Sequence, residues 1–526
     1  MNKNMKSWLV VVILFIVGSL YADNLSITRS VLLTPGQSKE VTIQLNKMAA
    51  NYTAFQFDMI LPDGVQVAGV ESGNLFARLN AERIVDHQLH AAKVKSNTYR
   101  FLAFSMTNAN FSSSDGDLLH ITLSADKDLD NINSTLLIQS QEYVEADGTV
   151  HTIGNLSFPI SVVNGELTPI TISSAKQSTY CSDKNLEFTG LPELKAYVAT
   201  GYDKTTGTIW LTRVKDVPAN TGFLLMGDPN TYDIPVKEGV SDSYYENLFK
   251  GTLTSMKLQA TDGANTNYYL SNGSYGVGFY KPSSDGVDLG ANRAYLSVPT
   301  DIQAVGAAGG TETINVSSAL QMTYCSSNSL DFTDQADVKA YTATGYNYNS
   351  GTIWLTRVKK VPAGTGILIM APEGSYPITK ASVASVYANM FVGTLEGKTI
   401  QTEENINGND YINYYLSAGT YGVGFYKVTQ AGGVSLSPNR SYLPIPKRAA
   451  AAGTRGISSD TDRYDVRESD DVIAIRLFNG ADATRGINMV KSGEVKTEKC
   501  FNLQGQRVLN PGKGLYIKNG KMVIIK

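Results

Sequence analysis

The stretch Gly207–Lys215 reads Gly-Thr-Ile-Trp-Leu-Thr-Arg-Val-Lys, and the same nine residues recur without a change at Gly351–Lys359. In both copies a Val-Pro-Ala-x-Thr-Gly segment follows, and then a short apolar run, Phe223–Met226 or Ile367–Met370. An apolar run of this length between turn residues predicts a strand that is buried on both faces. Identity over nine residues indicates a duplicated module.

The similarity extends over residues 166–305 in the first copy (repeat 1) and 311–447 in the second (repeat 2). It includes the Tyr-Gly-Val-Gly-Phe-Tyr-Lys segments Tyr275–Lys281 and Tyr421–Lys427. Solenoid repeats are roughly 20–50 residues long, so two units of this size are tandem domains. Their alternating and Gly-rich patterns predict two β-sandwich or barrel modules.

One difference between the copies is informative. The variable position in Val-Pro-Ala-x-Thr-Gly is Asn220 in repeat 1 and Gly364 in repeat 2. These are the two residue types that best tolerate a left-handed backbone, as a bulged hairpin requires after a type I turn. The sequence therefore predicts a positive φ at both positions, and it suggests that the motif is retained for its turn and the strand that follows.

The length, composition and net charge of the chain limit the number of domains, the fold class and the kinds of partner to expect. A chain of 526 residues is too long for one core, so roughly three or four domains are expected. Hydrophobic residues make up 42% and charged residues 18%, a balance that excludes wholesale disorder. The net charge of −3 gives no reason to expect nucleic acid or an anionic membrane as a partner. Tyr, Thr, Val and Gly richness favours an all-β, multidomain protein.

The N-terminus has the layout of a secretory signal. Basic residues precede the short apolar run Leu9–Leu20, and the polar Asp23 follows Ala22. Residues 1–22 are therefore expected to be a signal peptide cleaved near Ala22, because the apolar run is shorter than the roughly 20 residues that span a bilayer. No transmembrane span is expected after its removal.

Residues 23–163 form the first unit after the signal. Val41, Ile43 and Leu45 alternate with polar residues, as expected of a strand with one wet face, and Pro62-Asp63-Gly64 predicts a turn. Leu33-Thr-Pro-Gly-Gln37, Ala54–Val65 and Arg100–Ser105 together resemble a cohesin-type domain. The resemblance implies a jelly-roll sandwich with a non-catalytic role, either protein docking or carbohydrate contact.

The end of the chain has its own pattern. Residues 448–458, rich in alanine, are interpreted as a linker, and residues 459–526 as a small β domain. Asn519-Gly520 between two apolar segments predicts a hairpin. The Leu503-Gln-Gly-Gln-Arg-Val508 segment followed by Gly514-Leu-Tyr516 resembles the C-terminal sorting-type domain of Bacteroidetes secreted proteins. That resemblance implies a protein that is secreted or displayed on the outer-membrane surface; an ordinary C-terminal β domain is the alternative.

The sequence offers little catalytic chemistry. Cys181 and Cys325 occupy the same position in the two repeats and are interpreted as buried free thiols, because cysteine packs as a small hydrophobic residue. Neither repeat contains a histidine to activate them, so they are poor candidates for nucleophiles. His87 and His90 could supply half of a metal site, with solvated loop histidines as the alternative. The aspartates at 126, 128 and 130 lack the glycine and glutamate of an EF-hand loop. They are interpreted as an acidic surface turn, with a calcium site of another type as the alternative. These residues predict a non-enzymatic protein without cofactor or metal.

Aromatic side chains remain as candidate ligand-binding residues, because flat aromatic faces contact sugar rings at little entropic cost. The candidates are Tyr202, Trp210, Tyr275 and Tyr280 in repeat 1 and Tyr346, Trp354, Tyr421 and Tyr426 in repeat 2. The alternative is that they pack the repeat cores, and the alternation around Trp210 favours a core position for that residue. The leading hypothesis is an extracellular protein that binds glycan (polysaccharide) or a partner protein. A structural stalk and a polysaccharide hydrolase are the alternatives.

Overall fold

The computed structural model describes the chain from residue 24 onward, with gaps. The described residues are 24–27, 30–46, 51–69, 74–112, 115–273, 276–306, 309–419, 422–447, 463–468, 472–478, 500–501, 507–508, 514–518 and 521–525. The predicted signal peptide and the linker 448–458 lie outside them. The chain divides into two compact units, Met1–Glu166 and Leu167–Lys526.

Both units are built from β-strands, which confirms the predicted all-β, multidomain class. The first unit contains β1 (Asn24–Ile27), β2 (Val31–Leu33), β3 (Ser38–Asn46), β4 (Tyr52–Ile60), β5 (Val65–Val67), β6 (Ala77–Leu79), a 3₁₀ helix (Ala81–Arg83), β7 (His87–Lys95), β8 (Thr98–Ser105), β9 (Asp115–Ala125), β10 (Ile132–Glu145), β11 (Val150–Ile153) and β12 (Leu156–Val162).

Repeat 1 contains β13 (Leu167–Ile172), β14 (Gln177–Tyr180), β15 (Asn185–Glu187), β16 (Lys195–Asp203), β17 (Thr208–Val214), β18 (Asp216–Val217), β19 (Phe223–Met226), β20 (Asn230–Lys237), β21 (Ser243–Tyr245), β22 (Phe249–Thr252), β23 (Met256–Leu258), β24 (Thr261–Asp262), β25 (Asn265–Gly273), β26 (Gly276–Tyr280), β27 (Val287–Leu289) and β28 (Arg293–Pro299).

Repeat 2 contains β29 (Thr311–Val316), β30 (Gln321–Tyr324), β31 (Leu330–Asp331), β32 (Lys339–Asn347), β33 (Thr352–Val358), β34 (Lys360–Val361), β35 (Ile367–Met370), β36 (Gly374–Lys380), β37 (Ser385–Tyr387), β38 (Val392–Thr394), β39 (Lys398–Ile400), β40 (Glu403–Ile406), β41 (Asn409–Gly419), β42 (Gly422–Lys427), β43 (Val434–Leu436) and β44 (Arg440–Pro446). The C-terminal strands are β45 (Arg463–Glu468), β46 (Val472–Phe478), β47 (Cys500–Phe501), β48 (Arg507–Val508), β49 (Gly514–Lys518) and β50 (Lys521–Ile525).

The first unit is a sandwich of two sheets. One sheet has the order β1-β3-β9-β5 with β6 also on β9, and the other has the order β2-β12-β10-β4-β8-β7 with β11 on β10. Val41, Ile43 and Leu45 all point into the shared core, as the alternation predicted. The predicted turn is also present, since the Val65 amide donates to the Pro62 carbonyl and Gly64 has φ 78°.

The two histidines on β7 do not form a pair. They are three residues apart on a strand, so they point to opposite faces. His87 is buried and its ring stacks on Phe111, with 3.9 Å between ring centroids, whereas His90 is exposed beside Phe104. The interpretation of both as solvated loop residues was wrong for His87, which the strand directs into the core. Within the described ranges no group of three or more His, Cys, Asp or Glu side chains could hold a metal ion.

Each repeat is built around one strongly curved sheet. In repeat 1 its order is β14-β19-β16-β17-β46-β26-β25-β28-β22, and in repeat 2 it is β30-β35-β32-β33-β45-β42-β41-β44-β38. The two ends of the sheet approach each other: the Asn292 side chain at the start of β28 donates to the Cys181 carbonyl after β14, as Asn439 does to Cys325. The curved sheet thereby encloses an apolar core in each repeat.

The buried strands and the positive φ values predicted from the duplicated stretch are confirmed. The apolar runs are β19 and β35, and the first three residues of each are buried. Asn220 has φ 63° and Gly364 has φ 76°, so both adopt the left-handed conformation. Their amides donate to the carbonyls of Ser182 and Ser326, which ties the turn to the loop after the first strand of the sheet. The motif is therefore a structural element of the fold.

The two equivalent cysteines are buried free thiols, as predicted. Burial raises the pKa of each thiol to about 11, with Asp183 adding to the effect at Cys181. Each thiol packs against a glycine of the strand at the far end of the sheet, Gly251 or Gly393, where a Cβ atom would lie 2.3 or 2.5 Å from the sulfur. The cysteines thus fill the space where the two ends of the curved sheet approach each other.

The repeats exchange strands with each other, which the sequence did not indicate. Strand β21 of repeat 1 pairs with β32 of repeat 2, and β37 of repeat 2 pairs with β16 of repeat 1. The exchange is reciprocal and uses equivalent segments, so it has pseudo-twofold symmetry. Tyr244 packs on the core of repeat 2, and Val386 packs on the core of repeat 1. The two repeats therefore form one body.

Buried hydroxyl groups cross the pseudo-twofold axis. Thr212 Oγ1 and Thr356 Oγ1 are 3.2 Å apart, and each is hydrogen-bonded within its own repeat, to Thr200 at 2.9 Å and to Thr344 at 3.0 Å. All four side chains are buried. The first two belong to the duplicated stretch, so its repetition places the same hydroxyl on both sides of the axis.

The C-terminal segment contributes to both repeats. Strand β46 pairs with β17 and β26, and β45 pairs with β33 and β42. These strands fall in the range 459–526, which the sequence predicted to be a separate C-terminal domain. They pair with the repeats because open sheet edges present unpaired N–H and C=O groups that bind a further strand. The remaining strands form the sheet β48-β47-β49-β50, in which Lys518 faces Lys521 as expected of the predicted hairpin. In the described part of the chain no helix is long and apolar enough to cross a membrane.

We expect the first unit to lose stability in mild acid through His87. Burial lowers the pKa of this imidazole below its ordinary value of 6.5, although the Asp86 carboxylate partly offsets the shift. A proton therefore prefers the unfolded chain, so this stabilisation is complete above about pH 6.5 and is lost as the pH falls toward the folded pKa. Calorimetry of the full chain at several pH values measures the effect. The transition temperature of the first unit should fall as the pH is lowered in the wild type, and should fall much less in His87→Gln.

The matched control is His90→Gln on the same strand, where the exposed ring should leave the wild-type pH dependence intact. If the transition temperature of the first unit fell equally with pH in His87→Gln and in the wild type, His87 would not be the cause of the acid sensitivity.

We also expect Gly345→Ala to loosen the strand exchange. Its Cβ atom would lie 2.4 Å from the Tyr244 backbone oxygen and 3.1 Å from the Trp354 ring. Overpacking of this kind costs about 1–3 kcal/mol, so the melting temperature of the second unit should fall by several degrees. Gly432→Ala is the control, because nothing lies within 4 Å of its Cβ position. Equal melting temperatures for the two variants would show that β21 does not pack closely against β32 at Gly345.

Candidate binding clefts

Each repeat has a cleft between the first strand of its curved sheet and the β25–β26 or β41–β42 hairpin. The cleft in repeat 1 has a volume of about 460 Å³ and the cleft in repeat 2 about 400 Å³. The two are equivalent in position. Residues that line both and are identical in the two copies are Ser173/Ser317, Gln177/Gln321, Thr179/Thr323, Tyr269/Tyr415, Leu270/Leu416, Val287/Val434, Leu289/Leu436 and Arg293/Arg440.

An arginine lies in each cleft. Arg293 Nη1 donates to Ser178 Oγ at 2.7 Å, and Arg440 Nη1 donates to the Thr323 carbonyl at 3.2 Å. Arg293 is exposed and Arg440 is half-buried. A guanidinium carries five N–H donors, so one anchored nitrogen fixes the group while other donors remain for a ligand. The arginines thus combine a structural tie with a positively charged, donor-rich surface.

A buried acceptor in the second cleft lacks a donor. The side-chain oxygen of Gln321 is buried, and it has no hydrogen-bond partner among the described residues. Leaving such a group unpaired costs about 1–3 kcal/mol. A ligand hydroxyl or amide that reached this oxygen would recover that energy. The cleft therefore offers an acceptor from Gln321 as well as donors from Arg440.

The hairpin supplies one tyrosine to each cleft, Tyr269 or Tyr415, and places a second tyrosine next to it. Tyr269 is directly opposite Tyr280 in the β25–β26 pairing, and Tyr415 is directly opposite Tyr426 in the β41–β42 pairing. Residues directly opposite in an antiparallel pair lie on the same face of the sheet. Tyr280 and Tyr426, two of the sequence-predicted candidates, therefore lie beside the cleft tyrosines. All four rings are half-buried.

Glycines determine how the hairpin tyrosines lie. A Cβ atom on Gly273 would be 2.6 Å from the Tyr280 ring, and one on Gly419 would be 2.6 Å from the Tyr426 ring. Both rings thus cover a glycine on the neighbouring strand. Tyr280 Oη donates to the Gly276 carbonyl at 2.7 Å, and Tyr426 makes the equivalent bond. The ring positions are therefore fixed before any ligand arrives.

The other sequence-predicted aromatics lie elsewhere. Trp210 stacks on Tyr387 and Trp354 stacks on Tyr245, with 5.5 and 5.1 Å between ring centroids, so each tryptophan contacts the opposite repeat. Both indoles are half-buried, and neither belongs to the core clusters of its own repeat. The remaining four candidates divide into the buried Tyr202 and Tyr346 and, outside the described residues, Tyr275 and Tyr421.

A third cleft lies where β21 meets repeat 2. It has a volume of about 530 Å³, and Tyr244, Tyr346 and Tyr348 form one side of it. The three rings are in contact: Tyr244 stacks on Tyr346 with 5.3 Å between centroids, and Tyr346 meets Tyr348 edge-on at 4.7 Å. The pseudo-twofold equivalents of Tyr244 and Tyr348 are Val386 and Lys204, so this aromatic group occurs at only one of the two equivalent places.

Sequence reasoning missed Arg293, Arg440, Tyr269, Tyr415 and Gln321. The signal that could have found them was identity between the copies at polar positions outside the duplicated stretch. Asn292-Arg293 and Asn439-Arg440 were recognisable as matching pairs, but only the fold shows that they face the hairpin tyrosines.

No protein-family model matches the chain, and no curated protein matches it. Among solved structures, the chain is similar to a cohesin module from a Clostridium perfringens family 33 glycoside hydrolase, with 12% identity, a TM-score of 0.23, and coverage of 27% of this chain and 97% of that one. A non-cellulosomal cohesin from Archaeoglobus fulgidus has 13% identity, a TM-score of 0.21, and coverage of 27% and 91%. A type I cohesin from Pseudobacteroides cellulosolvens has 12% identity, a TM-score of 0.22, and coverage of 27% and 92%.

Proposed function

We propose that this chain is a non-catalytic, secreted or surface-displayed protein that binds extracellular glycan through the two equivalent clefts. The observation that carries the proposal is the duplication of one cleft, with the same arginine, tyrosine and glutamine in both copies. A shared polar surface in a concave position is the expected property of a retained binding site.

The chemistry of the clefts suits a sugar. A tyrosine face contacts the apolar C–H side of a pyranose ring, while guanidinium donors and hydroxyl groups bind the ring oxygens and hydroxyls. Gln321 supplies an acceptor for one sugar hydroxyl. The clefts are open to solvent and have a mixed polar and apolar lining, which fits an extended chain more than an enclosed small molecule.

Two equivalent clefts on one body allow bivalent binding. Because strand exchange joins the repeats, both clefts are presented together. Engaging two sites on one polymer raises the apparent affinity by roughly 10²–10⁴ without any new contact. A polysaccharide with repeated sugars is therefore a better ligand than a single sugar.

A structural role is the second candidate. Reciprocal strand exchange makes the repeats a single body, as a spacer or stalk that holds the first unit away from a surface would require. The buried thiols, whose raised pKa suppresses the nucleophilic thiolate, support a non-catalytic role under either proposal.

We predict that Tyr269→Leu and Tyr415→Leu each weaken binding of the full chain to an immobilised polysaccharide by about tenfold to a hundredfold, because each removes one of two sites. The double variant should show no binding above background. Leucine keeps most of the buried volume, so the melting temperature should change by only a few degrees. A glycan array followed by titration of the best ligand measures the effect.

Tyr376→Leu is the matched control, since Tyr376 is also half-buried in repeat 2 but lies outside the cleft. It should bind as wild type does. The absence of any array ligand for the full chain, or undiminished binding by the double variant, would overturn the glycan proposal and leave the stalk.

A further inference from the structure

Repeat 1 by itself lacks one strand of its curved sheet. The sheet runs β14-β19-β16-β17, then resumes at β26-β25-β28-β22, and strand β46 fills the space between β17 and β26. The pairing of β46 with β17 extends from Thr208 opposite Arg476 to Thr212 opposite Val472. On its other side β46 pairs with β26, where Phe279 faces Leu477. Without β46, two strand edges would face one open slot.

Repeat 2 has the same slot between β33 and β42, and strand β45 fills it. Ile353 faces Val466 on one side, and Phe425 faces Tyr464 on the other. Neither slot is filled by a strand of its own repeat. Both depend on the segment 463–478, which follows repeat 2 in the chain.

The two inserted strands run in opposite directions relative to their hosts. Strand β46 is antiparallel to β17 and parallel to β26, whereas β45 is parallel to β33 and antiparallel to β42. Because the two hosts are homologous, the slot accepts an extended segment in either direction. Main-chain hydrogen bonds to the two edges are common to both arrangements, so they are the main attraction, as in strand addition to a sheet edge.

The connection to the inserted segment is long. Sixteen residues, 447–462, separate the last strand of repeat 2 from β45, and a stretch of that length spans roughly 55 Å when fully extended. Only residues 469–471 separate β45 from β46, so the two strands enter neighbouring slots together. A segment on a long tether that fills slots by backbone pairing has the features of an exchangeable strand.

We propose that the slots between β17 and β26 and between β33 and β42 are strand-acceptor sites that also take the segment 463–478 of a second copy of this chain. Two copies then exchange segments reciprocally. Every hydrogen bond made within one molecule is reproduced between two, so the exchange needs no new surface. If a copy instead donated its segment to one neighbour and accepted a segment from another, the outermost copies would keep a free slot or a free segment. The assembly could then extend further.

Concentration sets the balance between the two forms. A tethered segment competes at an effective concentration set by the length of its connection, so the closed single molecule dominates in dilute solution. Exchange becomes favourable where copies are crowded, as on a surface. The proposal therefore predicts assembly that rises steeply with protein concentration.

Disulfide trapping tests the exchange in the full chain. Two versions of a Thr208→Cys/Arg476→Cys variant, carrying tags of different size and the change Cys500→Ser, are mixed, warmed, concentrated and then oxidised. The register places the two new cysteines opposite each other. The buried Cys181 and Cys325, each with a pKa of about 11, should stay as thiols. Covalent dimers that contain both tags, with a yield that rises with concentration, are expected.

The control pairs Arg476→Cys with Thr261→Cys, an exposed position on β24 away from the slot, and should give no such dimers. Intramolecular cross-links alone, at every concentration, would overturn the exchange between molecules.

A second measurement tests the slot itself. Ala474→Pro removes a main-chain donor from β46 and should release it from the sheet. A labelled peptide of residues 463–478 should then bind this full-length variant more tightly than it binds wild type, and the same peptide with proline at position 474 should bind at least tenfold more weakly. Failure of the unmodified peptide to bind would overturn the acceptor site, whether or not the clefts bind glycan.

Discussion

The second unit depends on a short row of buried threonine hydroxyls at the place where the two repeats meet. Thr200, Thr212, Thr356 and Thr344 are hydrogen-bonded in sequence across the pseudo-twofold axis. Each hydroxyl can both donate and accept, so a row of them is satisfied without water or charge. An apolar residue at the axis would leave its neighbour unpaired in a dry interior. The row therefore fixes how one repeat is oriented on the other.

The exchanged strands and the tryptophans follow from that orientation. Gly201 and Gly345 lie at register shifts in β16 and β32, where the partner repeat's strand comes closest. Their missing side chains leave room for a tyrosine of the partner repeat, and Trp210 or Trp354 covers that tyrosine. The duplicated tryptophan is thus an interface residue, which explains why it is half-buried and yet was a reasonable candidate for a binding platform.

A body assembled in this way separates structural and binding surfaces. The duplicated stretch, its turn and the following buried strand hold the fold together, whereas the clefts lie between the first strand of the sheet and a hairpin. Arg293 and Arg440 connect the two roles, since each ties β28 or β44 to the first strand and also lines a cleft. Beside the clefts, the half-buried Tyr280 and Tyr426 are fixed over glycines and provide a rigid surface of the kind that recognition requires.

Local features of this protein could be predicted from its sequence, because they depend on residues close together in the chain. The alternation at Val41, Ile43 and Leu45, the burial of β19 and β35, and the left-handed turn at Asn220 and Gly364 all follow from pattern and from the conformational limits of single residues. Only the tertiary structure decided which strand pairs with each sheet edge and which residues each aromatic ring contacts. Pairing of β21 with β32, insertion of β45 and β46, and the assembly of Tyr269 with Arg293 in one cleft join distant segments. Backbone hydrogen bonding at a sheet edge is independent of side-chain identity, so the sequence carries little record of which strand will fill it.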